Sequence, residues 1–220
     1  MPGQQHIPRP PGFRLGAPAP WAARSDEFKL NLDEVRARLL ALPPGAPPVA
    51  RVPNSVDAAV LVPMYEARDD VHLVFIKRPL TMPSHRGEIA FPGGTFDPDV
   101  DEDLEATARR EAREEVGLDP STVEIVARLD GIATVGSRFT ISPFAGFLAE
   151  PPVLIPDARE VTRVLEVPLS DLLAEGVYHE EHWDTMLEEE LRVHFYELTD
   201  ETIWGATARI LTNLLSVLLS

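Results

Sequence analysis

A chain of 220 residues with 36 acidic and 20 basic side chains carries a formal charge of −16, which excludes a nucleic-acid polymer as natural partner, because that binding rests on Lys and Arg neutralising phosphates. The complete absence of cysteine excludes disulfides, thiolate metal sites and a cysteine nucleophile. No apolar run fits a signal peptide or reaches membrane-spanning length, so the expectation is a single catalytic domain in the cytoplasm, with no membrane partner.

Residues 1–24 hold Pro2, Pro8, Pro10, Pro11, Pro18 and Pro20 together with Gly3, Gly12 and Gly16. That mixture propagates neither helix nor central strand, and it predicts a polyproline-like arm outside any sheet and dispensable for chemistry. Apolar spacing at Leu32, Val35, Leu39 and Leu40 predicts a short helix over 31–42, ended by Pro43-Pro44-Gly45. A second proline-rich linker follows. The organisation expected is therefore 1–56 as a proline-rich arm with one short helix and 57–220 as the catalytic domain. Runs 58–62 and 72–76, apolar and rich in β-branched residues, read as paired strands separated by 66–70. Lys77, Arg78, His85 and Arg86 then form a positive cluster in an acidic chain. Such side chains commonly answer neighbouring acids such as Glu88, but arginine also binds phosphate bidentately, and Arg78, Arg86 and His85 are the candidates to hold one.

Phe91-Pro92-Gly93-Gly94 leads into an acidic helix in which Glu111, Glu114 and Glu115 stand at i, i+3 and i+4. At about 100° per residue these carboxylates share one side of the helix and repel one another. Glutamate-rich helices are most often solvated faces, and here Arg109, Arg110 and Arg113 could answer the acids. The preceding glycines change the balance, because Gly93 and Gly94 let the backbone turn and approach a ligand closely. A divalent cation of the Mg²⁺ type, which takes carboxylates together with waters and substrate phosphates, would neutralise the cluster. Leu104, Ala108, Ala112 and Val116 form the apolar ridge of the same helix.

Beyond the helix, 123–129 and 139–148 read as strands with a loop at 131–137. Residues 157–166 read as loop, 169–173 as a short helix, and 180–183 with 192–196 as a hairpin across an acidic turn, where substitution of Glu188 should be silent. A last helix is expected over 203–219, its stripe of Ile203, Ala206, Ile210, Leu214 and Leu218 packed on the sheet. His6, His72, His179, His182 and His194 show no pattern and receive no role.

The stretch 91–118 resembles the Nudix box, which runs Gly, five residues, Glu, seven residues, Arg-Glu, an aliphatic residue, any residue, Glu-Glu, any residue, Gly, aliphatic. Arg110-Glu111 and Glu114-Glu115 fall in register, with Glu102 seven residues before Arg110, whereas Gly94 lies two residues early and Ala112 takes the aliphatic slot. A two-residue expansion of the loop 95–101 accounts for the offset and unsettles the role of Glu102. The upstream segment is similar to the added signature of coenzyme A pyrophosphatases: Arg78, Gly87 and Phe91-Pro92-Gly93-Gly94 match it, Ile76, Pro79 and Pro83 do not, and 140–144 and 203–208 add to the likeness. The resemblance implies an α/β (α+β) fold with a mixed sheet between helices. It also implies Mg²⁺ or Mn²⁺ held by Glu111, Glu114 and Glu115, an additional acid for which Glu160 is the candidate, and Arg110 orienting the glutamates. The expected partner is a small nucleoside diphosphate derivative, coenzyme A first and ADP-ribose, dinucleotides or nucleoside triphosphates next, with a homodimer left open. A non-catalytic nucleotide-binding module is the reading from another class, against which the intact carboxylates speak.

Overall fold

The fold is built outward from β2 (Val56–Ala67), whose residues are buried on both faces along most of its length. A computed structural model describes residues 5, 7–22, 30–43, 54–82, 85–134, 138–184 and 190–220. Arg68 and Asp69, both at positive φ (53° and 59°), turn the chain into β3 (Asp70–Lys77), which pairs antiparallel with β2. On its other side β2 runs parallel to β8 (Phe139–Leu148), and β8 carries β6 (Val123–Arg128) and β7 (Ile132–Ala133). Two short strands, β4 (Ile89–Ala90) and β5 (Gly93–Thr95), pair with β3 and β2. Pro63 is tolerated in this central strand because it falls where β2 changes partner, between Val60 on β5 and Met64 on β3. Leu61 N donates to Pro92 O, so the donor that Pro63 lacks would point to the same edge, into the gap.

Helices cover both faces of this mixed sheet, as expected for an α/β (α+β) fold of this kind. On one side lies α2 (Leu104–Val116), whose Ala108, Ala112 and Val116 pack on Ala59, Leu61, Val74, Ile76 and Phe144. Alanine at two of these positions lets the helix axis come close to the sheet. Asp103 caps its first turn, and Gly117 ends it at φ 70°, a left-handed position that suits glycine. On the other side lie α1 (Leu32–Leu40) and α4 (Gly205–Leu218), with Val35, Leu39, Ile210, Leu214 and Leu218 fully buried. Each such side chain contributes roughly 1.5–3 kcal/mol on burial.

Several segments differ from expectation, beginning with the expected loop 131–137, which contains β7. Residues expected as loop contain β9 (Arg163–Pro168), which pairs antiparallel with β3 along its edge. The last helix starts at Gly205 instead of 203, because 202–204 form β12 (Thr202–Trp204) on a second, four-stranded sheet. That sheet has the order β1-β10-β11-β12, with β10 (Tyr178–Trp183) and β11 (Leu191–Glu197) as the expected hairpin. Its first strand, β1 (Arg14–Leu15), lies in the arm expected to stay outside every sheet. The prolines flank this strand and do not occupy it, and it sits at an edge, where a short strand between prolines is allowed. Trp21 follows as a core residue, 3% exposed, its ring 5.4 Å from that of Tyr178 and tilted 57° to it. His6, Pro83 and Glu188 lie outside the described residues. Among those described, no helix is long and apolar enough to cross a membrane.

Candidate active site

Gly93 and Gly94 are extended, in β5, and their lack of a side chain serves space, not a turn. A Cβ on Gly93 would stand 2.4 Å from Ala59 O, and one on Gly94 would stand 2.4 Å from the Glu111 carboxyl. The strand can therefore lie against both β2 and the acidic side of α2. Glu115 reaches inward from the last turn of that helix, 2% exposed, where its Oε2 accepts from Gly93 N at 2.9 Å. Burial pushes its carboxyl up to about 8, against the opposing pull of the Gly93 N–H and Arg78, and the charges of Glu111 and Glu160 add to the rise. Glu111 is raised as well, chiefly by burial, with Arg110 opposing and Glu114 and Glu160 reinforcing.

Arg110 binds this group together. Its Nη1 donates to Glu111 Oε1 at 2.8 Å and Glu114 Oε2 at 3.0 Å, and its Nε and Nη2 take the two oxygens of Asp101 at 2.7 and 2.9 Å. Glu114 is the open member, with 57% of its side chain exposed. Glu160 arrives from a loop tied to the helix end, since Ile155 N donates to Val116 O, Asp157 N to Glu115 O, and Glu160 N to Asp157 O. Its charge is felt at both Glu111 and Glu115.

Arg78, at the end of β3, stands with Nη1 3.8 Å from Glu115 Oε1, and its Nε is buried without a hydrogen-bond partner. The turn 85–88 follows, with His85 at φ 55° and Gly87 at φ 67°. His85 Nδ1 pairs with Glu88 Oε2 at 2.9 Å, and this carboxylate raises the imidazole above its ordinary value. Arg86 Nε donates to Met82 O at 2.8 Å, and both side chains are exposed. The structure thus brings Arg78, Gly93, Gly94, Arg110, Glu111, Glu114, Glu115 and Glu160 together, and places His85 and Arg86 on the neighbouring turn. Lys77, grouped with them in the sequence, is engaged by Glu201, with Nζ–Oε distances of 2.6 and 2.9 Å.

The donor set fits a hard divalent cation. Crowded carboxylates, two of them raised by burial and mutual repulsion, are relieved by positive charge, and all offer oxygen. Among the described residues, no three acidic or histidine side chains already converge on one point, because the Arg110 guanidinium occupies the space between Glu111 and Glu114.

Residues 56–188 match the NUDIX domain family, which spans β2, the glycine strand and the acidic helix. The chain belongs to the Nudix family. The Nudix hydrolase NudL of Photorhabdus laumondii is 36% identical over 183 residues, covering 83% of this chain and 94% of the relative. Nudix hydrolase 22, chloroplastic, of Arabidopsis thaliana is 37% identical over 167 residues, 73% of this chain and 54% of the plant protein. The crystal structure of a MutT/nudix family protein from Enterococcus faecalis overlays at a TM-score of 0.50 with 15% identity, covering 88% of this chain and 71% of that one, a likeness of fold. The protein is a Nudix hydrolase acting on a pyrophosphate substrate, and enzymes of this family generally work with divalent metal ions.

Proposed function

We propose that this Nudix hydrolase cleaves the diphosphate of coenzyme A or its derivatives, releasing phosphopantetheine and adenosine 3′,5′-bisphosphate. The observation that carries the reading is Arg78: a guanidinium whose Nε is buried and unpartnered, beside Glu115, in register with Gly87 and the Phe91-Pro92-Gly93-Gly94 run. A cation so placed binds non-bridging phosphate oxygens, and a buried donor without a partner is costly until a ligand supplies one. Glu111, Glu114 and Glu115 are the proposed holders of Mg²⁺ or Mn²⁺, with Glu160 as a further ligand or the acceptor of the water's proton. Bound there, the metal would neutralise charge on the diphosphate and activate water for in-line attack. Arg110 orients Glu111 and Glu114 through its Nη1. Gly93 and Gly94 let the strand lie against β2 and the Glu111 carboxyl, with the Gly93 N–H fixing Glu115 and the exposed strand edge as the proposed approach for the substrate. Arg86, on the adjacent turn with its side chain exposed, is the proposed contact for the adenosine 3′-phosphate, with His85 beside it.

Comparing coenzyme A, its 3′-dephospho form and ADP-ribose, each with Mg²⁺ and with Mn²⁺, tests the reading. A charged contact to phosphate contributes roughly 1.5–3 kcal/mol, so coenzyme A should be favoured over its dephospho form about tenfold to a hundredfold. Equal rates on those two with faster hydrolysis of ADP-ribose would overturn the coenzyme A assignment and leave the family chemistry intact. A preference that survives Arg86→Ala would move only the residue assignment.

A further inference from the structure

Asp101, and not Glu102, which the spacing to Arg110 singles out, lies at the base of the expanded loop and accepts four hydrogen bonds. Its Oδ1 accepts from Arg110 Nε at 2.7 Å; its Oδ2 accepts from Arg110 Nη2 at 2.9 Å, Thr107 Oγ1 at 2.9 Å and Asp97 N at 3.1 Å. The carboxylate is 6% exposed, and Thr107 is fully buried beneath it. The loop closes on the same residue, since Asp101 N donates to Asp97 O at 2.7 Å. Glu102 is exposed, and none of Arg110's contacts is to it.

We propose that Asp101 is the positioning residue of the acidic face: its two-point grip on Arg110 sets where the single remaining nitrogen, Nη1, meets Glu111 and Glu114. The acid that grips Arg110 thus stands one place before Glu102, the residue at the family spacing. A planar guanidinium held at Nε and Nη2 has no freedom left to rotate, so the direction of Nη1 is fixed by Asp101. Glu111 and Glu114 both meet the guanidinium at that one nitrogen, so its direction sets where the two carboxylates stand. The loop is therefore part of the site's geometry, stapled at Asp97, Thr107 and Arg110. This inference rests on reading Glu111, Glu114 and Glu115 as the metal face, and it concerns how that face is held.

The test is titration of the full chain with Mn²⁺, followed by calorimetry or by the loss of free-ion signal in electron paramagnetic resonance, alongside melting curves. Glu115→Gln examines the metal face itself: unchanged Mn²⁺ affinity there sinks that reading, whatever Asp101 does. For the proposal, Asp101→Asn should weaken Mn²⁺ binding roughly tenfold or more, the usual effect of losing a partner that orients a ligand, while Glu102→Gln leaves affinity unchanged. Thr107→Val removes one donor to Asp101 but not the grip on Arg110, and should lower the melting temperature without moving affinity. Equal losses in Asp101→Asn and Glu102→Gln, or in Asp101→Asn and Thr107→Val, would overturn the proposal, as would unchanged affinity in folded Asp101→Asn. Should Asp101→Asn fail to fold, Arg110→Lys takes its place: it keeps the charge but cannot span the three acids, and unchanged affinity there overturns the proposal equally.

Discussion

Glu115 presents a conflict at a single residue: a carboxylate almost wholly buried beside two other acids, tolerated because the Gly93 N–H and Arg78 partly answer it. Glu115→Gln preserves an acceptor for Gly93 and removes the oxygen that can ionise to hold a cation, so the fold should survive while turnover falls about a hundredfold or more, measured by circular dichroism and by product release. EDTA should likewise abolish turnover, and added Mg²⁺ or Mn²⁺ should restore it. Asp101 gives the opposite case. The Arg110 guanidinium holds its carboxyl at about 2, below the ordinary 3.8. A depressed folded-state value contributes stability that is present above pH 4 and lost as the pH falls through about 2; the difference amounts to about 2 kcal/mol. Urea unfolding at pH 6 and pH 3 should therefore show the gap between wild type and Asp101→Asn narrowing on the acid side; a gap independent of pH would rule the ion pair out as its source. These residues also show what the sequence can and cannot reveal. Glu111, Glu114 and Glu115 are legible because helix periodicity turns spacing into geometry. Asp101 is not, because in a loop adjacent acids look alike until hydrogen bonds choose between them.

At the scale of elements, the long strands and both long helices were readable from apolar runs and period, whereas the short strands outside those runs were not. Arg163–Pro168 carries two arginine or glutamate residues among its apolar ones, and its pairing with β3 spans some ninety positions of sequence, which no local pattern records. Thr202–Trp204 is continuous with the helix after it, and only Gly205, at φ 64°, marks the break. The arm misled through its prolines, yet it is fastened at many points. Arg9 bonds Glu181 at 2.9 Å and lies 4.7 Å over the Phe195 ring; Gly16 N donates to Glu180 O; a Cβ on Gly16 would collide with Glu180 and His182. Trp21→Ala should therefore destabilise the protein by about 3–5 kcal/mol, seen as a lowered denaturation midpoint. Removal of 1–22 should do the same and yet leave turnover per folded molecule near that of the full chain, because the arm's contacts are with the small sheet. A fall in turnover at temperatures where the truncated protein is folded would show that the arm also shapes the site.

For the whole molecule, a formal charge of −16 surrounds a site meant for a multiply charged anion. The repulsion is long-ranged in dilute buffer and screened within roughly 8–10 Å at 0.1–0.15 M salt. At constant free Mg²⁺, kcat/KM should rise as ionic strength increases from roughly 0.01 to 0.15 M, and a fall would mean that local cations such as Arg78 dominate the approach. The small sheet joins parts of the chain made at very different times. Arg14 and Asp184 bond across 170 residues, and at roughly 5–20 residues per second a ribosome needs on the order of ten to thirty seconds to make that interval. Throughout it β1 and Trp21 have no β10 to meet, so the earliest of these segments to leave the ribosome is among the last to dock, and its prolines keep it from pairing elsewhere while it waits.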